Sequence, residues 1–348
     1  VPPLRVAVIG TGSFGRNHLR VYRDIQSAHP ELVELAAVVD SNPRSLEQAS
    51  STSGAHGFAE VDQLLDANLR LDAASVCVPT IHHAAVADQL LTAGIDVLIE
   101  KPFAASLEEA DRILALAARH HRVLQIGHLE RFNPAVTATL ARLNRPMFFE
   151  SHRLSVFTAR SLDVDVVMDL MIHDLDIVLA LTQSPVKEVR AVGLPVLSHK
   201  VDIANVRIEF DSGCVANFTA SRISTEQVRK LRLFQPRQYL SLDFARQELL
   251  TIDVSAITPE QLAALAGPAG SGFQPPSQTP KHPSPGLELQ KLELEKAEPL
   301  RLELEHFLEC VRTRAVPRVS GQDGRAALAL AIEINGQIAS HARRANLN

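Results

Sequence analysis

Tryptophan is absent from this 348-residue chain, and only two tyrosines, three methionines and three cysteines occur. The shortage of large aromatic residues bears on neither fold nor function. The cysteine count does. Cys77, Cys214 and Cys310 are odd in number and share no metal-ligand spacing, so neither a disulfide framework nor a cysteine-built metal centre is expected. Cys77 falls inside an apolar run and reads as core. No apolar stretch is long enough to cross a bilayer, and the first residues lack a basic segment followed by an apolar one. Positive charge is not in excess: 35 Lys and Arg against 40 Asp and Glu give a net charge of −5, which argues against a nucleic-acid binder. No internal repeat is visible. The expectation is a soluble, cytoplasmic globular protein with no membrane and no nucleic-acid partner.

At 348 residues the chain exceeds what one core usually organises, so two domains are expected. Up to residue 126 apolar runs alternate with amphipathic ones. Strands are predicted at 4–9, 33–39, 73–78, 96–99 and 122–126, and helices at 14–28, 43–53, 60–67, 82–93 and 106–120. Asn42-Pro43 starts the second helix, and Ser106 with Glu109 caps the last one. This alternation reads as a doubly wound parallel sheet, the α/β class. Beyond it the rhythm changes. Helices are expected at 134–143 and 164–181, short alternating runs fill 187–253, and 206–210 with 214–218 reads as an antiparallel hairpin about Asp211-Ser212-Gly213. Helices at 299–311 and 326–338 close the chain. The expected division is 1–126, a dinucleotide-binding domain, and 127–348, an α+β domain with a large, mostly antiparallel sheet whose open face could serve oligomerisation. A Gly-, Pro- and Ser-rich stretch at 266–287 reads as a mobile loop, either a linker or a flap.

Gly10-Thr11-Gly12-Ser13-Phe14-Gly15 follows the first strand and opens a helix, while Asp40 closes the second strand. Glycines there let backbone amides approach a pyrophosphate at the helix N-terminus, and the acidic residue can accept ribose hydroxyls. Asp40 favours NAD over NADP because a carboxylate repels a 2′-phosphate; Arg44 nearby weakens that preference and keeps NADP open.

In doubly wound sheets the ligand lies beyond the carboxyl ends of the strands. Pro79-Thr80-Ile81-His82-His83, Glu100-Lys101-Pro102-Phe103 and Gly127-His128-Leu129-Glu130-Arg131-Phe132 all fall at such ends. Lys101 stands out, with Pro102 fixing its backbone; the plain alternative is a salt bridge to Glu100 or Glu108. His83 either contacts a ligand or satisfies a carbonyl within its turn. Farther along, Asp169 and His173 are four residues apart on one helix face, so a carboxylate could orient an imidazole suited to proton exchange near neutrality. An ordinary surface pair has the same spacing. Paired histidines at 82–83 and 120–121 do not face one site, no Cys or His quartet exists, and zinc is rejected.

Together these motifs resemble the glucose-fructose oxidoreductase / inositol dehydrogenase / rhizopine catabolism (Gfo/Idh/MocA) family over nearly the whole chain. The carriers are GTGSFGRNH at 10–18, Pro79 to His83, EKPF at 100–103, D-x-x-x-H at 169–173 and the closing helix after Gly321-Gln322-Asp323-Gly324. Thr80 stands where the family usually has Asn. The resemblance implies a Rossmann domain, a nicotinamide cofactor, and Lys101, Asp169 and His173 as the catalytic group. It further implies cofactor contacts from Gly10, Gly12, Ser13, Phe14, Gly15 and Asp40, and from Pro79, Thr80, His83, Glu100 and Lys101. Family members commonly carry Gly-rich residues before the catalytic aspartate. Here Val166-Val167-Met168 stand there, and G-H-x-E-R-F-N-P at 127–134 with D-V-V-x-D-L-M-I-H-D at 165–174 resembles the nucleotide-sugar branch.

That branch implies NAD-dependent oxidation of a sugar secondary alcohol, the 3-hydroxyl of a UDP-N-acetylglucosamine-type nucleotide sugar, toward a keto sugar used for a lipid A variant. Substrate contacts would come from Lys101 and His173, with Arg131 and Arg160 as candidates for the diphosphate; surface roles for both arginines stay open. A free sugar or a cyclitol such as inositol is the alternative substrate. A non-catalytic dinucleotide-binding regulator and a protein-interaction module using the open sheet are the rivals outside the enzyme class. A homodimer or homotetramer is expected.

Overall fold

The computed structural model describes residues 2–157, 164–254 and 289–346. Arg160 and the 266–287 stretch lie outside the described residues. The chain divides into two compact units, Val1–Phe132 with Ala297–Leu330, and Asn133–Lys296 with Ala331–Asn348. The first unit thus takes in residues 297–330, which the sequence reading assigned to the second stretch.

In the first unit six strands form one parallel sheet: β1 (Leu4–Ile9), β2 (Val33–Val39), β3 (His56–Phe58), β4 (Ala73–Val76), β5 (Asp96–Glu100) and β6 (Leu124–Gly127), in the order β3-β2-β1-β4-β5-β6. Every residue of β4, β5 and β6 is buried, as expected of parallel strands covered on both faces. Helices α1 (Gly15–Ala28), α2 (Pro43–Ser53), α3 (Val61–Asp66), α4 (His83–Thr92) and α5 (Leu107–Arg119) make the crossovers. Asn42 caps α2 by accepting the Arg44 and Ser45 amides, and Ser106 caps α5 by accepting that of Glu109. Sequence order reverses between β1 and β4, which places the switch point beside α1. The three-residue β3 escapes the periodic reading because it is too short, and exposed at the sheet edge, to show alternation.

Residues 297–330 join this unit for a packing reason. In α8 (Pro299–Thr313) Leu300, Leu304, Phe307, Leu308 and Val311 form a stripe at helical spacing, in one buried cluster with Val6, Val8, Tyr22 and Ile25. Gly321 and Gly324 then open α9 (Gly321–Arg344) against β6. A Cβ on Gly321 would lie 2.7 Å from a Leu124 methyl, and one on Gly324 would lie 2.6 Å from Ile126.

The second unit holds an eight-stranded sheet in the order β14-β13-β12-β11-β7-β10-β9-β8. Its strands are β7 (Phe148–Leu154), β8 (Val186–Leu194), β9 (Ile203–Phe210), β10 (Val215–Ser221), β11 (Val228–Gln235), β12 (Gln238–Asp243), β13 (Glu248–Asp253) and β14 (Gln290–Leu292). Among the described residues of this sheet only β7 and β10 pair in parallel; the 206–210/214–218 hairpin appears as β9 and β10. Strict alternation of burial in β7 gives one face to a core and leaves the other half-buried among the described residues. The inward positions of β7 include Ser151 and Arg153, so the strand carries no apolar alternation to announce it. Helix α6 runs Pro134–Leu140, shorter than expected, and the 164–181 segment is a π-turn, Val167–Met171, that leads into α7 (Ile172–Thr182).

Candidate active site

The dinucleotide loop is built by backbone close approach. Gly10 has φ +89, and a Cβ there would sit 2.8 Å from the Cys77 carbonyl carbon; a Cβ on Gly15 would meet the Gly10 oxygen at 1.9 Å. Only glycine fits either position. A Cβ on Gly12 would meet nothing within 4 Å and the residue is exposed, so no clash calls for glycine there and the backbone is approachable. Asp40, at the end of β2, has its carboxylate fixed: Oδ2 accepts the Thr11 amide at 2.7 Å and the Thr11 hydroxyl at 2.8 Å, while Oδ1 accepts the Asn42 amide at 2.8 Å. Open backbone at Gly12, a helix N-terminus at Gly15 and an oriented acid fit a pyrophosphate and an adenosine ribose. Ser13 and Phe14 are exposed beside them, and Pro79 and Thr80 lead into the short 3-10 turn Thr80–His82 beyond β4.

Lys101 follows β5 directly and its bond to Pro102 is cis. Glu100 has Oε1 3.0 Å from His18 Nε2 and accepts the Lys101 amide on Oε2 at 3.2 Å. His83 is buried, with Nδ1 3.0 Å from the Pro102 carbonyl and Nε2 2.9 Å from that of Val78. The carbonyl contact expected as one of its two roles is present, because an imidazole enclosed in a turn must satisfy its N–H internally. Burial lowers its pKa, against those same carbonyl contacts, which raise it.

His128 closes β6. It is 1% exposed, and burial first, then the Arg131 and Lys101 cations, lower its pKa from 6.5 to about 3. This ring is therefore a neutral imidazole at physiological pH. Arg131 is 8% exposed and donates to the Arg318 carbonyl at 3.1 Å, with Asp323 3.9 Å away. Those internal partners anchor the guanidinium, since a buried charged group needs hydrogen bonds inside the fold.

In the second unit Asp169 lies in the π-turn and His173 is the second residue of α7, so the pair spans a change of helix type rather than two turns of one α-helix. Single π-turns of this kind gather at functional sites. Asp165 accepts the Val167 and Met168 amides and the Asn335 side chain, which ties down the start of the turn. The next residue after His173 is anchored too. Asp174 forms a buried two-point pair with Arg153 of β7, at 2.7 and 3.0 Å. Lys101 thus belongs to one unit, and Asp169 and His173 to the other.

From sequence, Thr11 and His18 had no role beyond the GTGSFGRNH motif, and His128 none beyond its place at the end of a strand. His18 had a signal: it is a polar residue within the buried stripe Gly15, His18, Leu19, Tyr22, Ile25 of α1. Among the described residues no group of three or more His, Cys, Asp or Glu is placed to hold a metal ion, and no helix is long and apolar enough to cross a membrane.

Residues 4–128 match the model of the oxidoreductase family, NAD-binding Rossmann fold, and residues 135–235 match that of the GFO/IDH/MocA C-terminal domain. The chain is 34% identical to UDP-N-acetylglucosamine 3-dehydrogenase of Acidithiobacillus ferrooxidans, over 98% of this chain and 99% of the relative. The solved structure of that enzyme has a TM-score of 0.82 at 33% identity, covering 97% of this chain and 98% of the other. Identity to scyllo-inositol 2-dehydrogenase (NAD(+)) of Bacillus subtilis is 24%, over 92% of this chain and 90% of the relative. An oxidoreductase from Agrobacterium radiobacter, solved with NAD+, L-tartaric acid and magnesium, shares the fold at 16% identity, with a TM-score of 0.79 over 97% of this chain and 96% of the other. A six-stranded parallel sheet with a glycine cradle, a mostly antiparallel second sheet and likeness along the full length agree: the chain belongs to the GFO/IDH/MocA family of oxidoreductases and carries its NAD-binding Rossmann domain.

Proposed function

We propose that this dehydrogenase oxidises a secondary alcohol of a sugar, the 3-hydroxyl of a UDP-N-acetylglucosamine-type nucleotide sugar, with NAD+. The observation that carries this reading is the likeness, over 98% of the chain, to an enzyme named for that substrate. When bound, NAD+ supplies the nicotinamide carbon that accepts a hydride. His173 takes the hydroxyl proton as general base, and Asp169 orients its ring. Lys101 donates a hydrogen bond to the same oxygen and stabilises its negative charge as the C–H bond breaks. The alcohol thereby loses one proton and one hydride and becomes a ketone. Asp40 selects NAD by accepting ribose hydroxyls where a 2′-phosphate would be repelled.

A thermal-shift screen with NAD+ present, followed by absorbance at the reduced-nicotinamide band, tests the substrate. UDP-N-acetylglucosamine is expected to raise the melting temperature and yield NADH. Turnover of inositol or glucose with none of any UDP-sugar would replace the reading with a free-sugar or cyclitol enzyme, the alternative supported by likeness to scyllo-inositol 2-dehydrogenase. Binding of NAD+ with no turnover of any sugar would select the regulator.

The open face of the second unit's sheet supports a homo-oligomer, a dimer or a tetramer. Phe148, Phe234 and Tyr239 pack there as tilted rings with centroids 5.5 and 5.0 Å apart, and Phe234 is 37% exposed. Sedimentation equilibrium should give two or four chains for the native protein and a shift toward the monomer for Phe234→Lys; a monomeric native protein would remove this surface from consideration. Three free cysteines support a reducing, cytoplasmic setting.

A further inference from the structure

Glu100 is a nearly enclosed carboxylate, 6% exposed, expected from the resemblance as a cofactor contact but given no step in the oxidation above. Its surroundings are built to hold it in one place. Oε1 stands 3.0 Å from Nε2 of His18, a fully buried residue in the first turn of α1. Oε2 accepts the amide of Lys101 at 3.2 Å. From the adjacent strand Gly127 closes the space: a Cβ there would lie 2.7 Å from Oε1 and 2.8 Å from the carboxyl carbon. The pair is a poor stability device, because apolar side chains of equal volume commonly serve a core as well or better. What it does provide is one fixed direction for the backbone at residue 101. Helix α1 is the element whose N-terminus receives the dinucleotide loop, so the same helix meets the cofactor and, through one side chain, the segment carrying Lys101.

We infer that His18 is a positioning residue for the oxidation: by fixing Glu100 it sets the backbone of Lys101 relative to the dinucleotide-binding helix. This rests on the reading that Lys101 acts on the substrate hydroxyl. The leverage is steep, since displacing a reacting group by about 1 Å costs about a hundredfold in rate.

The test compares His18→Leu, His18→Gln and Glu100→Gln with Lys101→Ala and the native enzyme. Three readouts are taken: kcat and KM with the sugar that turns over, the dissociation constant of NADH by fluorescence, and amide hydrogen exchange of the peptide covering 98–104. For His18→Leu, kcat is expected to fall about 10- to 100-fold while NADH affinity stays within about threefold. Exchange at 98–104 should rise while that of the rest of α1 stays as in the native enzyme. Glutamine can still donate to the carboxylate, so His18→Gln should recover most of the lost kcat; Glu100→Gln, which keeps the volume, should reproduce the loss and guards against a His18→Leu chain that fails to fold. Unchanged exchange at 98–104 in a folded His18→Leu variant overturns the inference. So does loss of NADH affinity with kcat preserved, which would make His18 a support of the cofactor loop alone. Lys101→Ala separates the two claims: if it turns over like the native enzyme the reading of the lysine fails, whereas if it is inactive and the His18 variants are not, only the present inference fails.

Discussion

Replacing Lys101 or His173 with alanine should cut kcat by about a hundred- to ten-thousand-fold each, while NADH binds as it does to the native protein. The reason for the split lies in where these residues stand. Neither belongs to the loop from Gly10 to Gly15 or to Asp40, which carry the features fitted to a pyrophosphate and a ribose. Alanine at 101 removes the donor that would meet charge on the substrate oxygen; alanine at 173 removes the acceptor for its proton. Because both groups would serve one oxygen in one step, the double variant should be little slower than the worse single one. Steady-state rates with the UDP-sugar and fluorescence titration with NADH measure both halves. Native-like turnover in either single variant would end the proposed mechanism.

Acid should destabilise the native protein more steeply than a variant lacking His128. The folded ring has a pKa of about 3 because burial, with Arg131 and Lys101 nearby, disfavours its charged form. An unfolded histidine titrates near 6.5. Between those values the unfolded chain takes up a proton that the folded chain refuses. Stability from this group is therefore complete above the unfolded pKa and falls as the pH drops through it, by about 1.4 kcal/mol per pH unit. His83, whose pKa is also lowered by burial, adds a change of the same sign. Urea melts from pH 8 to pH 5 of the native protein and of His128→Gln isolate the effect, since the remaining groups are common to both. The native protein should lose about 2 kcal/mol more than the variant between pH 6.5 and pH 5. Parallel curves would mean that the ring is not held neutral in the fold.

The amino-terminal half was legible because its signals are local. A strand buried on both faces reads as an unbroken apolar run, a glycine loop must follow it, and an acid must close the next strand. β1, β2 and β5 therefore appear where the sequence puts them. Ser106 and Glu109 likewise mark the start of α5, because a helix terminus is capped by residues a few positions away. β7 stayed hidden because its inward face spends two positions on the polar Ser151 and Arg153; the partner of Arg153, Asp174, lies twenty-one residues on. The π-turn before α7 is invisible for a similar reason, as its pattern matches an α-helix and only the backbone tells them apart.

Chain order and residue type were enough to determine the dinucleotide fold, the family, and Lys101, Asp169 and His173 as candidates, because each rests on neighbours in the sequence. Tertiary structure decided what each polar side chain is paired with. It bound Asp40 to Thr11, seated Glu100 between His18 and the Lys101 amide, turned His83 and Arg131 toward backbone carbonyls, and gave residues 297–330 to the first unit. A buried polar group is tolerable only when its partner is in place, and that partner comes from whichever strand or helix the fold brings beside it.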